Sequence, residues 1–113
     1  MSALTFTLKY SPDQRVDMSP LVCHLLKDLA LADIAALTLQ SGKRKLRVDE
    51  LFTIDGANTQ NIVIKNSVDK LDFIGKDLED GCISVEGGAG AYLGFGMKAG
   101  EIKVSGNAGL YAA

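Results

Sequence analysis

The residue types able to do chemistry are few and scattered in this 113-residue chain. His24 is the only histidine, and it follows Cys23 directly. A cysteine–histidine nucleophile needs the two side chains to converge, but neighbours on a helix point about 100° apart. The segment reads as a short helix, so His24 is expected to be a surface or half-buried side chain without a catalytic role. Metal ligation has no better support. Asp13, Asp17, Asp28 and Asp33 are spread over polar faces, with no HxH or HExxH spacing. Asp69, Asp72, Asp77, Glu79 and Asp80 form an acidic stretch. Paired carboxylates can do acid–base work or hold calcium, yet this stretch falls where the chain turns outward, so a solvated turn is expected. Lys43, Arg44, Lys45 and Arg47 make the one basic cluster. It reads as a polar turn entering a strand, and without interleaved aromatics it does not fit nucleic acid. No catalytic residue and no metal site is therefore expected.

The elements that position these residues fit one domain of ordinary globular composition, 47% apolar and 23% charged. A net charge of -2 supplies no basic field for nucleic acid or membrane surfaces. No apolar run approaches the roughly 18 residues of a membrane span, and the N-terminus lacks the pattern of a secretory signal. Cys23 and Cys82 stand far apart with no CxxC partner, so both are expected to be reduced, buried thiols in a cytoplasmic protein.

Residues 1–58 read as a small α+β segment. ALTFTLKY alternates Leu4, Phe6 and Leu8 with Thr5, Thr7 and Lys9, the period of a half-buried strand. Ser19 and Pro20 suit the N-cap and first position of a helix carrying Leu21 and Leu25. LADIAALTL (31–39) predicts a second short helix, SGKRK a polar turn, and LRVDELFTID (46–55) a mostly extended stretch.

From residue 59 the pattern changes. Shifted by 19, the sequence matches itself: Ile83 meets Ile102, Val85 meets Val104, Gly87 meets Gly106, Gly90 meets Gly109, and Tyr92 meets Tyr111. Backwards by the same step, Gly94 meets Gly75, Met97 meets Leu78, and Gly100 meets Gly81. An earlier copy places Ile62 under Ile83, Ile64 under Val85 and Asn66 under Gly87, if two extra residues are allowed near Asp72–Ile74. A period near 20 with a strand pattern and no helical period predicts a parallel β-helix, its coils spaced by roughly 4.8 Å. The glycines recur because every coil bends at the same places. A dinucleotide fingerprint is excluded, since Gly88-x-Gly90 is followed three residues on by Leu93 and then by no helix.

The run GAGAYLGFGMKAGEIKVSGNAG resembles the GxGxG repeat found in the C subunits of formylmethanofuran dehydrogenase and of the bacterial formyltransferase/hydrolase complex. The same repeat class occurs in the C-terminal domain of glutamate synthase. The order LTFTLKYSPDQRVDMSPL, LADIAALTL, LRVDELFTIDG is similar to the start of the bacterial C subunits, so the likeness covers almost the whole chain. It implies a right-handed parallel β-helix (59–113) behind a capping region (1–58). The chain would be a non-catalytic scaffold in a formyl-transferring complex of one-carbon metabolism, not an enzyme by itself. The alternative is a glutamate-synthase-like GxGxG domain or a stand-alone solenoid for assembly. The resemblance carries over no catalytic motif, only structural glycines: Gly75, Gly81, Gly87, Gly90, Gly94, Gly96, Gly100, Gly106 and Gly109. It implies no bound cofactor in this chain, but a methanofuran-type formyl carrier handled by the complex. Such a carrier has a glutamate-rich tail, which Lys43, Arg44, Lys45 and Arg47 could hold. The expected partners are the other subunits of the complex, with no nucleic acid and no membrane. Family members continue for several further coils where this sequence stops at Ala113. The open coil end is therefore expected to be covered, by another subunit or by self-association.

Overall fold

The structure is a computed structural model and describes residues 3–12 and 14–106. The alternation of the first segment forms β1 (Ala3–Leu8), with Leu4, Phe6 and Leu8 buried and Thr5 and Thr7 only partly so. β2 (Val16–Asp17), α1 (Cys23–Leu26), α2 (Leu31–Ala35), β3 (Thr38–Ser41), β4 (Arg44–Arg47), α3 (Val48–Leu51) and β5 (Phe52–Asp55) follow. β6 (Asn58–Ser67), β7 (Leu71–Asp72), β8 (Cys82–Gly87) and β9 (Glu101–Val104) complete a mainly β chain.

One sheet has the order β5-β1-β6-β8-β9, and β1, β6, β8 and β9 are mutually parallel. Leu4, Ile62, Ile83 and Ile102 stand in register across it, as do Phe6, Ile64, Val85 and Val104. The sequence repeat gives the last three members of each row. β1 adds the first, so a strand from the N-terminal segment shares a sheet and a core with the repeats. Each fully buried side chain in these rows contributes about 1.5–3 kcal/mol over exposure. The second sheet, β4-β3-β2-β7, joins its halves in the same way, β2 running parallel to β7 with Val16 opposite Leu71.

Left-handed backbone recurs with the repeat: Phe73 and Tyr92, Gly75 and Gly94, Asp77 and Gly96, Gly81 and Gly100 all have positive φ. Close approach adds a second constraint. At Gly87 a Cβ would run into the backbone of Ser67, at Gly90 into the carbonyl of Leu71, and at Gly106 into the carbonyl of Gly87. Gly109 and Tyr111 lie outside the described residues.

Four expectations are corrected. Ser19 and Pro20 do not start a helix: the Ser19 N–H donates to Asp17 Oδ1 at 2.9 Å, and α1 begins only after Val22, leaving Leu25 exposed. The second helix stops at Ala35, because Leu39 pairs with Leu46 in the β3–β4 hairpin. The stretch 46–55 is interrupted by the single turn α3, which buries Val48 and Leu51 between two strands. Finally, Ser67 and not Asn66 sits opposite Gly87. Asn66 does take the left-handed backbone (φ 59), but as part of an irregularity between Ile64 and Ser67. The two extra residues lie before Leu71 and not near Asp72–Ile74: Ile64 pairs with Val85, 21 positions on, Ser67 with Gly87, 20 on, and the Leu71 carbonyl accepts from Gly90, 19 on.

Candidate functional site

His24 lies on α1 with its Nε2 3.3 Å from Glu79 Oε2, and its Nδ1 is buried without a hydrogen-bond partner. The ring thus faces a carboxylate, and the adjacent Cys23 is turned inward. Cys23 is fully buried with its Sγ 3.9 Å from the Cys82 carbonyl, and burial pushes its pKa up to about 11. A thiol so protonated at neutral pH is a poor nucleophile. Both cysteines are free, with Cys23 buried and Cys82 half-buried. Among the described residues no group of three or more His, Cys, Asp or Glu could hold a metal ion. Nor is any described helix long and apolar enough to cross a membrane.

The acidic stretch divides. Asp69, Asp77, Glu79 and Asp80 are not buried, as expected of a solvated turn. Asp72 differs: its side chain is only 13% exposed and holds Arg15 through two hydrogen bonds of 2.7 Å. Asp72 Oδ1 also accepts the Ala91 N–H at 2.8 Å, and Arg15 donates to the Asp69 carbonyl. The hydrogen bonds to Asp72, with the neighbouring negative charge, raise the pKa of Arg15 against the opposing effect of desolvation. One carboxylate therefore ties the N-terminal segment to two successive turns of the repeat. The sequence offers no signal for it, because Arg15 and Asp72 are remote along the chain.

A second unforeseen cluster is aromatic. Phe73 and Tyr92 are stacked with centroids 5.0 Å apart and planes 6° from parallel, and Phe95 packs edge-on against both. Lys76 Nζ lies 5.4 Å from the Phe73 centroid. The 19-residue spacing of Phe73 and Tyr92 is the clue the sequence holds, but identity at that spacing points to Tyr92 and Tyr111 instead.

The basic cluster is on the β3–β4 hairpin and all four side chains are exposed. Strand alternation divides them. Arg44 shares a face with buried Leu46 and borders an 80 Å³ hollow with Tyr10, Pro12 and Gln14, whereas Lys45 and Arg47 point to the opposite face. Arg47 is engaged by Asp49 through contacts of 3.0 and 3.1 Å. The structure therefore brings Lys43, Arg44 and Lys45 into one neighbourhood without converging them on a pocket. At the other extreme of the molecule, β9 closes the first sheet among the described residues. Leu93, Met97 and Ile102 line a hollow of about 280 Å³ beside it.

The comparisons with known proteins agree with this architecture. No family model matches the chain. It is 30% identical over 96 residues to the C subunit of the tungsten-containing formylmethanofuran dehydrogenase 2 of Methanococcus maripaludis, covering 83% of this chain and 35% of the relative. It is 34% identical over 89 residues to the C subunit of the formyltransferase/hydrolase complex Fhc of Methylorubrum extorquens, covering 79% and 34%. The chain is similar to these C subunits over most of its own length. It spans about a third of the length of the curated relatives it matches. Its fold matches a chain in the crystal structure of the formyltransferase/hydrolase complex (FhcABCD) from Methylorubrum extorquens in complex with methylofuran. The TM-score is 0.87 at 34% identity, over 96% of this chain and 41% of that one.

Proposed function

We propose that the chain forms coils of a right-handed parallel β-helix and serves as a non-catalytic scaffold in a formyl-transferring complex in the cytoplasm. The complex is of the formylmethanofuran dehydrogenase or formyltransferase/hydrolase type. The observation that carries this reading is the fold match over 96% of the chain to a chain of the FhcABCD crystal structure. The in-register rows from Leu4 to Ile102 and from Phe6 to Val104 support the β-helix, with residues 59–113 as its repeats and 1–58 as a capping region. The non-catalytic role is supported by a lone histidine set against Glu79 and a buried, protonated Cys23. The partners are then the other subunits of the complex.

The crystal complex that the chain resembles was solved with methylofuran. On this reading the present complex handles a carrier of that type, and the basic hairpin is the place in the described chain suited to its polyanionic tail. Lys43, Arg44 and Lys45 would contact the tail, and Arg47 would do so only after releasing Asp49.

Affinity purification of the tagged chain from its native host tests the proposal. The expected result is co-purification of a formyltransferase subunit and a metal-dependent hydrolase subunit. Recovery of the chain alone as a monodisperse monomer would overturn complex membership, and hydrolysis of formylmethanofuran by the isolated chain would overturn the non-catalytic role.

A further inference from the structure

The hairpin presents open backbone and unpaired charge on one edge. Its two-residue connection, Gly42-Lys43, has glycine with φ +59 at the first position, as a type II′ turn requires. Such a turn makes Ser41 and Arg44 the pair that exchange hydrogen bonds, and alternation extends this to Leu39 and Leu46. The Val48 N–H, donating to the Leu37 carbonyl at 2.8 Å, keeps the same parity one step further. The N–H and C=O groups of Lys45 and Arg47 consequently point away from β3. β4 is the last strand of its sheet, so among the described residues no strand pairs that edge. No hydrogen bond or ion pair among the described residues engages the side chains of Lys43, Arg44 or Lys45.

We propose that the outer edge of β4 accepts an extended, acidic segment of a partner protein as an added strand. Main-chain bonds to Lys45 and Arg47 would supply the pairing, and carboxylates on the incoming strand would meet Lys43, Arg44 and Lys45. The charge also decides who is rejected. Lysine and arginine on an open edge repel a second copy of the same edge and disfavour uncharged strands. Only a segment rich in carboxylates turns that repulsion into attraction. The rest of the chain favours this selectivity, because its net charge of -2 leaves the hairpin as a basic island.

The probe is a short, fluorescently labelled peptide of alternating glutamate and threonine, titrated with the full chain at about 50 mM salt, where surface charges are weakly screened. Saturable binding is expected. It should weaken about tenfold or more in a Lys43→Glu, Lys45→Glu double variant whose circular dichroism matches wild type. A peptide N-methylated at alternate amides keeps its charge but loses strand pairing, and it should bind about tenfold or more weakly. No binding of the acidic peptide, or equal binding of the N-methylated peptide, overturns the proposal. A γ-linked glutamate oligomer reaches the same cations, as a carrier tail would, but cannot pair as a strand, so it is expected to bind about tenfold or more weakly than the peptide; equal binding overturns the added strand and leaves the charge contacts alone.

Discussion

Between β8 and β9 the paired residues lie 19 positions apart, whereas in the hairpin Gln40 pairs with Lys45, only five positions on. The two regions are both β-structure and solve the same hydrogen-bonding problem at different cost. A parallel pair needs a long return path, and here that path is compressed into bends that lie directly on one another. Backbone meets backbone at those bends, as between Gly87 and Ser67 or between Gly100 and Gly81. In the hairpin the return path is two residues, and the crowding at Gly42 is only with the flexible end of Gln14. Errors in the stacked region should therefore propagate through every tier, while errors in the hairpin stay local.

Gly87→Val gives the sharpest test of that contrast. Gly87 has φ +123 and no room for a Cβ beside Ser67, so a loss of at least about 4 kcal/mol, or failure to fold, is expected in urea denaturation. A loss under about 1 kcal/mol would mean that the tiers can separate at little cost. Next in size is Ile83→Ala, which opens a cavity at a fully buried position of its row and should cost about 3 kcal/mol. Asp72→Ala should follow at about 2 kcal/mol, because it removes the Arg15 contacts and strands the Ala91 N–H. Arg15→Ala should cost about half as much, since its exposed guanidinium is screened by water and the Ala91 bond survives. Equal losses in the two variants would show that the bond to Ala91 contributes nothing. In the hairpin, Gly42→Ala should cost about 1 kcal/mol, for the left-handed backbone alone.

The smallest effect is one of pH. The Cys23 pKa in the folded chain is about 11 against an ordinary 9.0, so the folded state holds its proton longer. That contribution is fully present below pH 9 and is lost as pH rises toward 11. By about pH 9.5 the loss is under about 1 kcal/mol, and it should be missing from Cys23→Ala. Identical pH profiles for the two chains between about pH 8 and 9.5 would show that the thiol is not held in a desolvated site.

What is legible in the sequence follows from how local each signal is. The rows through Ile62, Ile83 and Ile102 can be read because the repeat writes the tertiary neighbour into the spacing. β1 can be read as a strand from its alternation, but not as the first tier. Nothing in Leu4 or Phe6 marks a register with Ile62 or Ile64, and a long insertion separates them. The expected helix start at Ser19 fails because Asp17 takes the Ser19 N–H and postpones the helix. The basic cluster is visible as composition, but the two faces and the open edge of β4 are not, since these depend on which edge of the sheet is left unpaired.

The amino-acid order alone determined the 19-residue tier and the places where it must bend, because both rest on residue type at fixed spacing. The tertiary structure decided three further things. The N-terminal strand joins the stack, Asp72 and Arg15 fasten it, and the hairpin exposes backbone beside its cations. These depend on segments brought together from far along the chain, where burial and hydrogen bonding, not local preference, select the partner.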